Sequence, residues 1–200
     1  MKKFLISSMC IFTILFSSCD IETTEDLSSV TNFPVFEYDS FTVIAKGTTF
    51  SANAKAFENG SEIPVTTETN LDSEIPGVYN VTYSAVNSDG IVANAFQTIV
   101  VHDPSIVGTD VTGSIVDANN ASRTGVITLV EGTTSIFLAS DFGFGGTFPV
   151  YFQMDGDLIS EIPQTYVFSA TQVDLTYDPV NQVFTTLIHP YGFAYTFKYQ

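Results

Sequence analysis

The chain has 200 residues, of which 44% are hydrophobic and 14% aromatic, and it carries 6 Lys+Arg against 22 Asp+Glu, a formal net charge of −16. That charge excludes a nucleic-acid partner, because binding phosphates requires clustered basic side chains. The hydrophobic content excludes a disordered chain, since it is enough to bury a core, and it leaves the acidic groups for a solvated exterior.

The N-terminus, MKKFLISSMCIFTILFSSCD, has the three-part layout of a secretory signal peptide. Lys2 and Lys3 precede an apolar run from Phe4 to Phe16, which is shorter than the roughly 20 residues that a membrane-spanning helix needs. The end of this stretch resembles a bacterial lipoprotein box, in which Cys19 becomes the lipidated first residue of the mature protein. We therefore predict a lipoprotein signal peptide over residues 1–18 and a membrane anchor through lipid on Cys19. An ordinary cleaved signal is the alternative.

Cysteine usage limits the chemistry of the mature chain. The only cysteines are Cys10, inside the signal, and Cys19, which the lipid would occupy. A disulfide scaffold, a zinc–thiolate site and a thiol enzyme are therefore excluded.

Residues 19–32 read as a flexible acidic tether, because they are polar and show no periodicity. Their early acids resemble the export tags that send lipoproteins to the outer face of the outer membrane in some Gram-negative bacteria. This resemblance implies an outer-membrane, cell-surface location. A plain solvated linker is the alternative.

Residues 33–104 form a series of short β-like runs separated by turn signals such as Glu58-Asn59-Gly60 and Ser88-Asp89-Gly90. Six or seven short strands over about 70 residues are typical of a small β-sandwich. Tyr79, Val81 and Tyr83 share one face of a strand, and we predict that they belong to its core.

The segment IPGVYNVTYSAVNSDGIVANAFQTIVV resembles the closing hairpin of bacterial immunoglobulin-like domains of the hyalin-repeat and crystal-toxin type. The matching positions are Pro76, Gly77, Tyr79, Val81, Tyr83, Ala85 and Gly90. The resemblance implies an immunoglobulin-like spacer, and a fold alone provides no active site.

A change of pattern at His102-Asp103-Pro104 predicts a domain junction near residues 103–110, followed by a C-terminal β domain over residues 110–200. The expected strands of this second half are 113–116, 125–130, 135–139, 148–154, 165–169, 173–177, 183–188 and 193–199. Turn residues at Asp178-Pro179 predict a hairpin from Val173 to Ile188. Alternating aromatic residues over 193–199 predict a central core strand. The fold class is thus all-β, with two consecutive sandwich-like domains after the signal and tether.

The second half resembles the β domain that accompanies immunoglobulin-like domains in surface lipoproteins of glycan-acquisition systems. The features that carry this resemblance are the Gly113 strand opening, Arg123 before the strand at Val126, and Ser140-Asp141 leading into two glycines. The resemblance implies a binder that reaches outward from the cell.

The stretch ASDFGFGGTFPVYF, residues 139–152, contains the Asp-Phe-Gly tripeptide of protein kinases. Kinase chemistry requires a phosphate-binding lysine and a catalytic-loop Asp and Asn, and this chain has no matching set. The glycines also lack the spacing of a dinucleotide or phosphate-binding loop. We predict a structural turn in which Asp141 bonds nearby backbone amides, and which is a candidate lip of a binding pocket.

Glycan binding by a β domain relies on exposed aromatic rings with polar partners for the sugar hydroxyls. The candidate ligand-binding residues are Tyr151, Tyr166, Tyr191, Asp141, Asp155 and Arg123. A core role is the alternative for each tyrosine, and the absence of Trp weakens the glycan prediction. Asp155-Gly156-Asp157 could hold calcium, with an ordinary Asp-Gly turn as the alternative, so no metal or cofactor is predicted.

The sequence therefore predicts a non-catalytic, lipid-anchored cell-surface protein that binds a glycan or a host-surface ligand. The first alternative is a structural or adhesive subunit that binds another surface protein. A hydrolase is the second alternative, since the common catalytic motifs are absent but paired carboxylates alone suffice for a glycosidase.

Overall fold

A computed structural model describes residues 31–200 and confirms the all-β class. The predicted signal peptide, Cys19 and residues 20–30 of the predicted tether lie outside these residues. Within residues 31–200, no helix is long and apolar enough to cross a membrane.

The first half contains seven strands, where the sequence pattern predicts six or seven, and they are arranged in two sheets. They are β1 (Val35–Glu37), β2 (Phe41–Ala45), β3 (Lys55–Glu58), β4 (Ser61–Ile63), β5 (Thr66–Thr69), β6 (Gly77–Val86) and β7 (Val92–His102). One sheet has the order β1-β3-β4 and the other the order β2-β7-β6-β5, with β2 parallel to β7. The alternating residues of 50–57 become strand only from Lys55, where β3 begins.

Tyr79, Val81 and Tyr83 are buried between the two sheets, which confirms their predicted core role. The buried hydroxyl of Tyr83 donates a hydrogen bond to Gln97 Oε1 over 2.5 Å, and Gln97 in turn donates to Thr42 Oγ1 over 2.8 Å. A chain of polar partners therefore crosses this core without leaving the tyrosine hydroxyl unsatisfied.

The second half is one eight-stranded antiparallel sheet. Its strands are β8 (Gly113–Asp117), β9 (Asn120–Leu129), β10 (Ile136–Ala139), β11 (Val150–Asp155), β12 (Leu158–Glu161), β13 (Gln172–Asp178), β14 (Val183–His189) and β15 (Phe193–Tyr199). The order is β12-β11-β10-β9-β8-β15-β14-β13, and the sheet curls so that its edge strands β12 and β13 lie next to each other. We call the line between these two strands the seam.

The interior of this curled sheet is filled by phenylalanine rings. Phe142, Phe152 and Phe184 are fully buried, with ring centroids 5.6 to 6.3 Å apart. Such distances are typical of favourable aromatic pairs, so the rings contribute stability beyond the burial of their area. The second half is therefore closed around a packed core.

The predicted hairpin from Val173 to Ile188 is confirmed as β13 and β14. The predicted strand at 165–169 is wrong, because residues Val167–Ser169 form a short 3-10 turn in which Phe168 and Ser169 have φ of 55° and 58°. The short strand β12 was not predicted. The final strand β15 lies in the middle of the sheet, as its aromatic pattern indicates, but Phe193 at its start is exposed.

A hydrophobic cluster joins the two halves. Val78 and Val100 from the first half pack with Val130, Ile136 and Ile162 from the second, and we call these five residues the shared cluster. The backbone N–H of Val78 also donates to the carbonyl of Pro163 over 2.7 Å. Residues 32–200 consequently form one compact unit, within which the domain junction near 103–110 stays a prediction.

Candidate ligand-binding site

The glycine-rich loop between β10 and β11 is organised by one buried carboxylate. Asp141, which is 1% exposed, accepts the backbone N–H groups of Gly143 at 3.0 Å, Gly146 at 2.5 Å and Phe148 at 3.3 Å. The prediction that Asp141 bonds nearby amides is confirmed. Because its oxygens are engaged inside the protein, this side chain shapes the loop and does not face a ligand.

The loop places Phe144 at the centre of an exposed aromatic cluster. Its ring centroid lies 5.5 Å from Phe168, 5.9 Å from Tyr191 and 5.5 Å from Phe193. Phe168, Tyr191 and Phe193 are 56%, 44% and 46% exposed, respectively. We call these four residues the aromatic patch.

The patch is held in shape by its own contacts. The rings of Tyr191 and Phe193 stack 5.7 Å apart with 14° between their planes. The hydroxyl of Tyr191 donates to the carbonyl oxygen of Phe168 over 2.6 Å and ties the β14–β15 turn to the 3-10 turn. The exposed rings are therefore held in a fixed arrangement. Less side-chain conformational entropy is then lost when a ligand binds.

Three polar side chains form a hydrogen-bonded group on the β13–β14 hairpin. His189 Nε2 is 2.8 Å from Asp174 Oδ2, and Gln172 donates to Asp174 Oδ1 over 2.8 Å. All three side chains are at least partly exposed, and His189 precedes Tyr191 by two residues. By strand register these three side chains lie on the face of the sheet opposite to Ile188 and Phe193, so they are not part of the aromatic patch.

Two further predicted site residues lie near the patch but serve the fold. The ring of Tyr166 stacks on Phe148 at 6.1 Å, and its hydroxyl donates to Glu161 Oε1 over 2.6 Å. Burial, and next the Glu161 carboxylate, raise the pKa of Tyr166 well above its usual range. Arg123 forms an ion pair with the buried Asp117 and lies 4.6 Å above the ring of Tyr195.

The remaining two predicted residues lie elsewhere. Tyr151 is half-buried against the shared cluster, where burial raises its pKa, and its backbone is bonded on both sides by the Gln164 amide. Asp155 is exposed at the end of β11. Of the six predicted residues, the structure therefore brings only Tyr191 to the exposed patch.

Sequence reasoning missed the three phenylalanines of the patch. Phe168 was assigned to a strand and Phe193 to a core stripe, although the sequence His189-Pro190-Tyr191-Gly192 marks the start of β15 as the side of a turn. Phe144 was treated only as part of the glycine loop. Adjacent glycines indicate a turn beside Phe144 and beside Phe193, whereas no Gly, Pro, Asn or Asp lies within two positions of Phe168.

The fold and the patch define an all-β chain with a two-sheet first half and a curled-sheet second half that exposes aromatic rings. Residues 37–101 match the family described as bacterial surface protein, Ig-like domain. This range runs from the last residue of β1 to the penultimate residue of β7. The resemblance drawn from the sequence is thereby confirmed for a bacterial surface immunoglobulin-like domain in the first half.

Several solved structures are similar to the chain, and two of them are named here. One is a lipoprotein from Bacteroides thetaiotaomicron, with 21% identity over 82% of this chain and 98% of that chain and a TM-score of 0.40. The other is described as CBM51-2 in complex with GlcNAc and INT domains from Clostridium perfringens ZmpB, with 16% identity and a TM-score of 0.34. This second match covers 53% of this chain and 31% of that chain. No curated protein matches the chain.

Proposed function

We propose that this chain is a non-catalytic binding protein of a bacterial cell surface, anchored in the outer membrane by lipid on Cys19, and that the aromatic patch binds a glycan. In this proposal the immunoglobulin-like half is the spacer and the curled sheet carries the ligand. The observation that supports it is the contiguous exposure of three aromatic rings around Phe144.

Burying a large apolar side chain stabilises a protein by about 1.5–3 kcal/mol. A cluster of exposed aromatic rings gives up this free energy, which favours a functional explanation for it. A contiguous apolar patch on a soluble surface usually marks a binding site. The flat C–H faces of sugars can cover such rings, and the hydroxyl of Tyr191 provides a polar atom within the patch.

The net charge of the protein limits the class of glycan that we expect it to bind. The formal net charge is −16, so the electrostatic field around the protein is negative. Sulfated or uronic-acid polymers would be repelled by this field, whereas neutral polysaccharides would not. We therefore expect the ligand to be a neutral polysaccharide.

A glycan array probed with the purified protein tests the proposal. We expect retention on at least one neutral polysaccharide and a roughly tenfold loss of affinity for Phe193→Ala, the size of loss common for a buried aromatic anchor. Phe96→Ala is the matched control, because Phe96 is also an exposed phenylalanine but lies in the other half, on β7. Absence of any polysaccharide ligand, or equal losses in the two variants, would remove the glycan proposal.

A protein ligand is the second candidate. It is favoured by Phe168 and Phe193, which make up much of the patch and carry no polar atom for a sugar hydroxyl. In that case a neighbouring surface protein would copurify with the wild-type protein and not with Phe193→Ala, and no polysaccharide would be retained.

The anchor has its own experiment. Replacing Cys19 with Ala should move the protein from the membrane fraction to the soluble fraction, because two or three acyl chains give stable attachment and the described residues offer no spanning helix. Retention of the variant in the membrane fraction would contradict lipid anchoring.

A further inference from the structure

A cavity lies at the opposite end of β15 from the aromatic patch. It has a volume of about 380 Å³, and its walls include Tyr177, Tyr199, Asp110, Asp157 and Gln182. We call it the tyrosine groove. Phe193 begins β15 and Tyr199 ends it, so six residue steps of roughly 3.3 Å, about 20 Å, separate the groove from the patch.

The two aromatic walls are held in place from behind. The ring of Tyr177 stacks on the buried Phe184, 4.6 Å between centroids. The hydroxyl of Tyr199 donates to the carbonyl oxygen of Val111 over 2.8 Å, and its ring packs edge-on against Phe184 at 6.0 Å. Both rings are half-buried, so each is fixed on the protein side and still borders the groove.

The carboxylates of the groove are also held in position. Asp110 Oδ1 accepts the backbone N–H of Thr112 at 2.9 Å, and Asp157 Oδ1 accepts the hydroxyl of Thr109 at 2.7 Å. The bonds from Thr112 lower the pKa of Asp110, so this carboxylate stays ionised at neutral pH. Among the described residues that line the groove there is no Lys, Arg or His to neutralise the pair.

The tyrosines themselves lie in this negative field. Burial, and then the nearby Tyr177 and Asp110, raise the pKa of Tyr199 to about 12. Burial, and then Asp157 and Asp178, raise the pKa of Tyr177. The groove therefore combines neutral aromatic rings with two fixed negative charges.

We propose that the tyrosine groove binds a small organic cation through its ammonium group. A cation next to a tyrosine ring is attracted by the partial negative charge of the ring face. The carboxylates of Asp110 and Asp157 would attract the same cation by charge. A volume of about 380 Å³ accommodates a trimethylammonium or primary ammonium group with its carbon chain. This inference is independent of the glycan proposal, because it uses none of the residues of the aromatic patch.

Titrating the purified protein with choline, and in parallel with its neutral isostere in which a carbon atom replaces the nitrogen, tests the inference by NMR. We expect choline to shift the backbone amide signals of Thr109, Asp157 and Tyr199, and the isostere to leave them in place at equal concentration. A third titration with methylammonium separates a quaternary headgroup from a lysine-like amine as the source of the cation.

Variants locate the site. Asp157→Asn keeps the acceptor for Thr109 and should weaken choline binding about threefold or more, whereas Asp89→Asn removes an equal charge in the first half and should change nothing. Tyr177→Leu should weaken binding about two- to fivefold, the value of a partly exposed cation–π contact. If that variant does not fold, Asp157→Asn still decides.

Three results would overturn the inference. They are equal shifts with the neutral isostere, equal losses for Asp89→Asn and Asp157→Asn, and no shift with either ammonium compound. Phe193→Ala should bind choline as tightly as the wild type does. The choline experiment therefore tests the tyrosine groove whether or not the patch binds a glycan.

Discussion

The hydroxyl of Tyr166 donates to Glu161 Oε1 over 2.6 Å, and the same oxygen accepts the backbone N–H of Val173 at 3.3 Å. Glu161 ends β12 and Val173 lies in β13, so one carboxylate bridges the seam where the two edge strands of the curled sheet meet. Side-chain bonds of this kind satisfy edge groups that no backbone ladder reaches.

Removing that bridge should destabilise the protein. We expect Glu161→Ala to lower the free energy of unfolding by about 1.5 kcal/mol, the lower end of what hydrogen bonds to a charged group contribute, because Glu161 is exposed. Urea denaturation gives the value. Glu131→Ala, which removes an exposed carboxylate from the turn before β10, is the control and should change stability by less than about 0.5 kcal/mol. Equal effects in both variants would show that the bridge does not stabilise the seam.

Asp141 should be among the most sensitive carboxylates of the second half. Asp141→Asn places an amide where three backbone N–H groups converge, so at least one donor is left facing another. We expect a loss of about 3 kcal/mol in the free energy of unfolding, measured in urea. Asp155→Asn on the exposed end of β11 is the matched control. A loss below about 1 kcal/mol for Asp141→Asn would contradict the organising role of this carboxylate.

Gly125 in β9 leaves no space for a side chain. A Cβ atom there would lie 2.7 Å from the carbonyl oxygen of Asp141, which belongs to the backbone and cannot rotate away. We expect Gly125→Ala to cost about 1–3 kcal/mol through overpacking, seen as a lower thermal midpoint. The neighbouring Thr124→Ala, on the exposed side of the strand, should be nearly neutral. Full stability of Gly125→Ala would show that β9 can move away from the loop.

Alkaline pH should weaken the second half. Burial raises the pKa of Tyr199 to about 12 from its ordinary value of 10.0, so the folded state holds this proton more tightly than the unfolded state. The contribution to stability is present below pH 10 and is lost as the pH rises from 10 to 12. Urea denaturation of the wild type should therefore show a falling free energy of unfolding across this range. Tyr199→Phe should show a smaller fall, and an unchanged fall would assign the effect to other groups.

Local chemistry made several features predictable from the sequence. The alternation around Tyr79 placed its strand in a core, the turn residues at Asp178 placed a hairpin, and an Asp before a glycine-rich turn indicated Asp141 as an amide acceptor. Each of these depends on residues that are close together along the chain.

The aromatic patch was not predictable in the same way. Phe144, Phe168 and Phe193 come from three separate turns that converge only because the sheet curls. Phe168 also has a left-handed backbone, with φ of 55°, which β-propensity cannot indicate. The role of Arg123 depends likewise on Asp117 and Tyr195, which reach it across neighbouring strands.

The shared cluster gives the protein a mechanical property. Val78 and Val100 are covered by side chains from the second half, so cutting the chain after residue 104 would leave two valines of one sheet face in water. We therefore expect the first half to be less stable as an isolated domain than it is within the whole protein. Because Val78 and Val100 pack against Val130, Ile136 and Ile162, a rotation of one half against the other would expose these side chains to water.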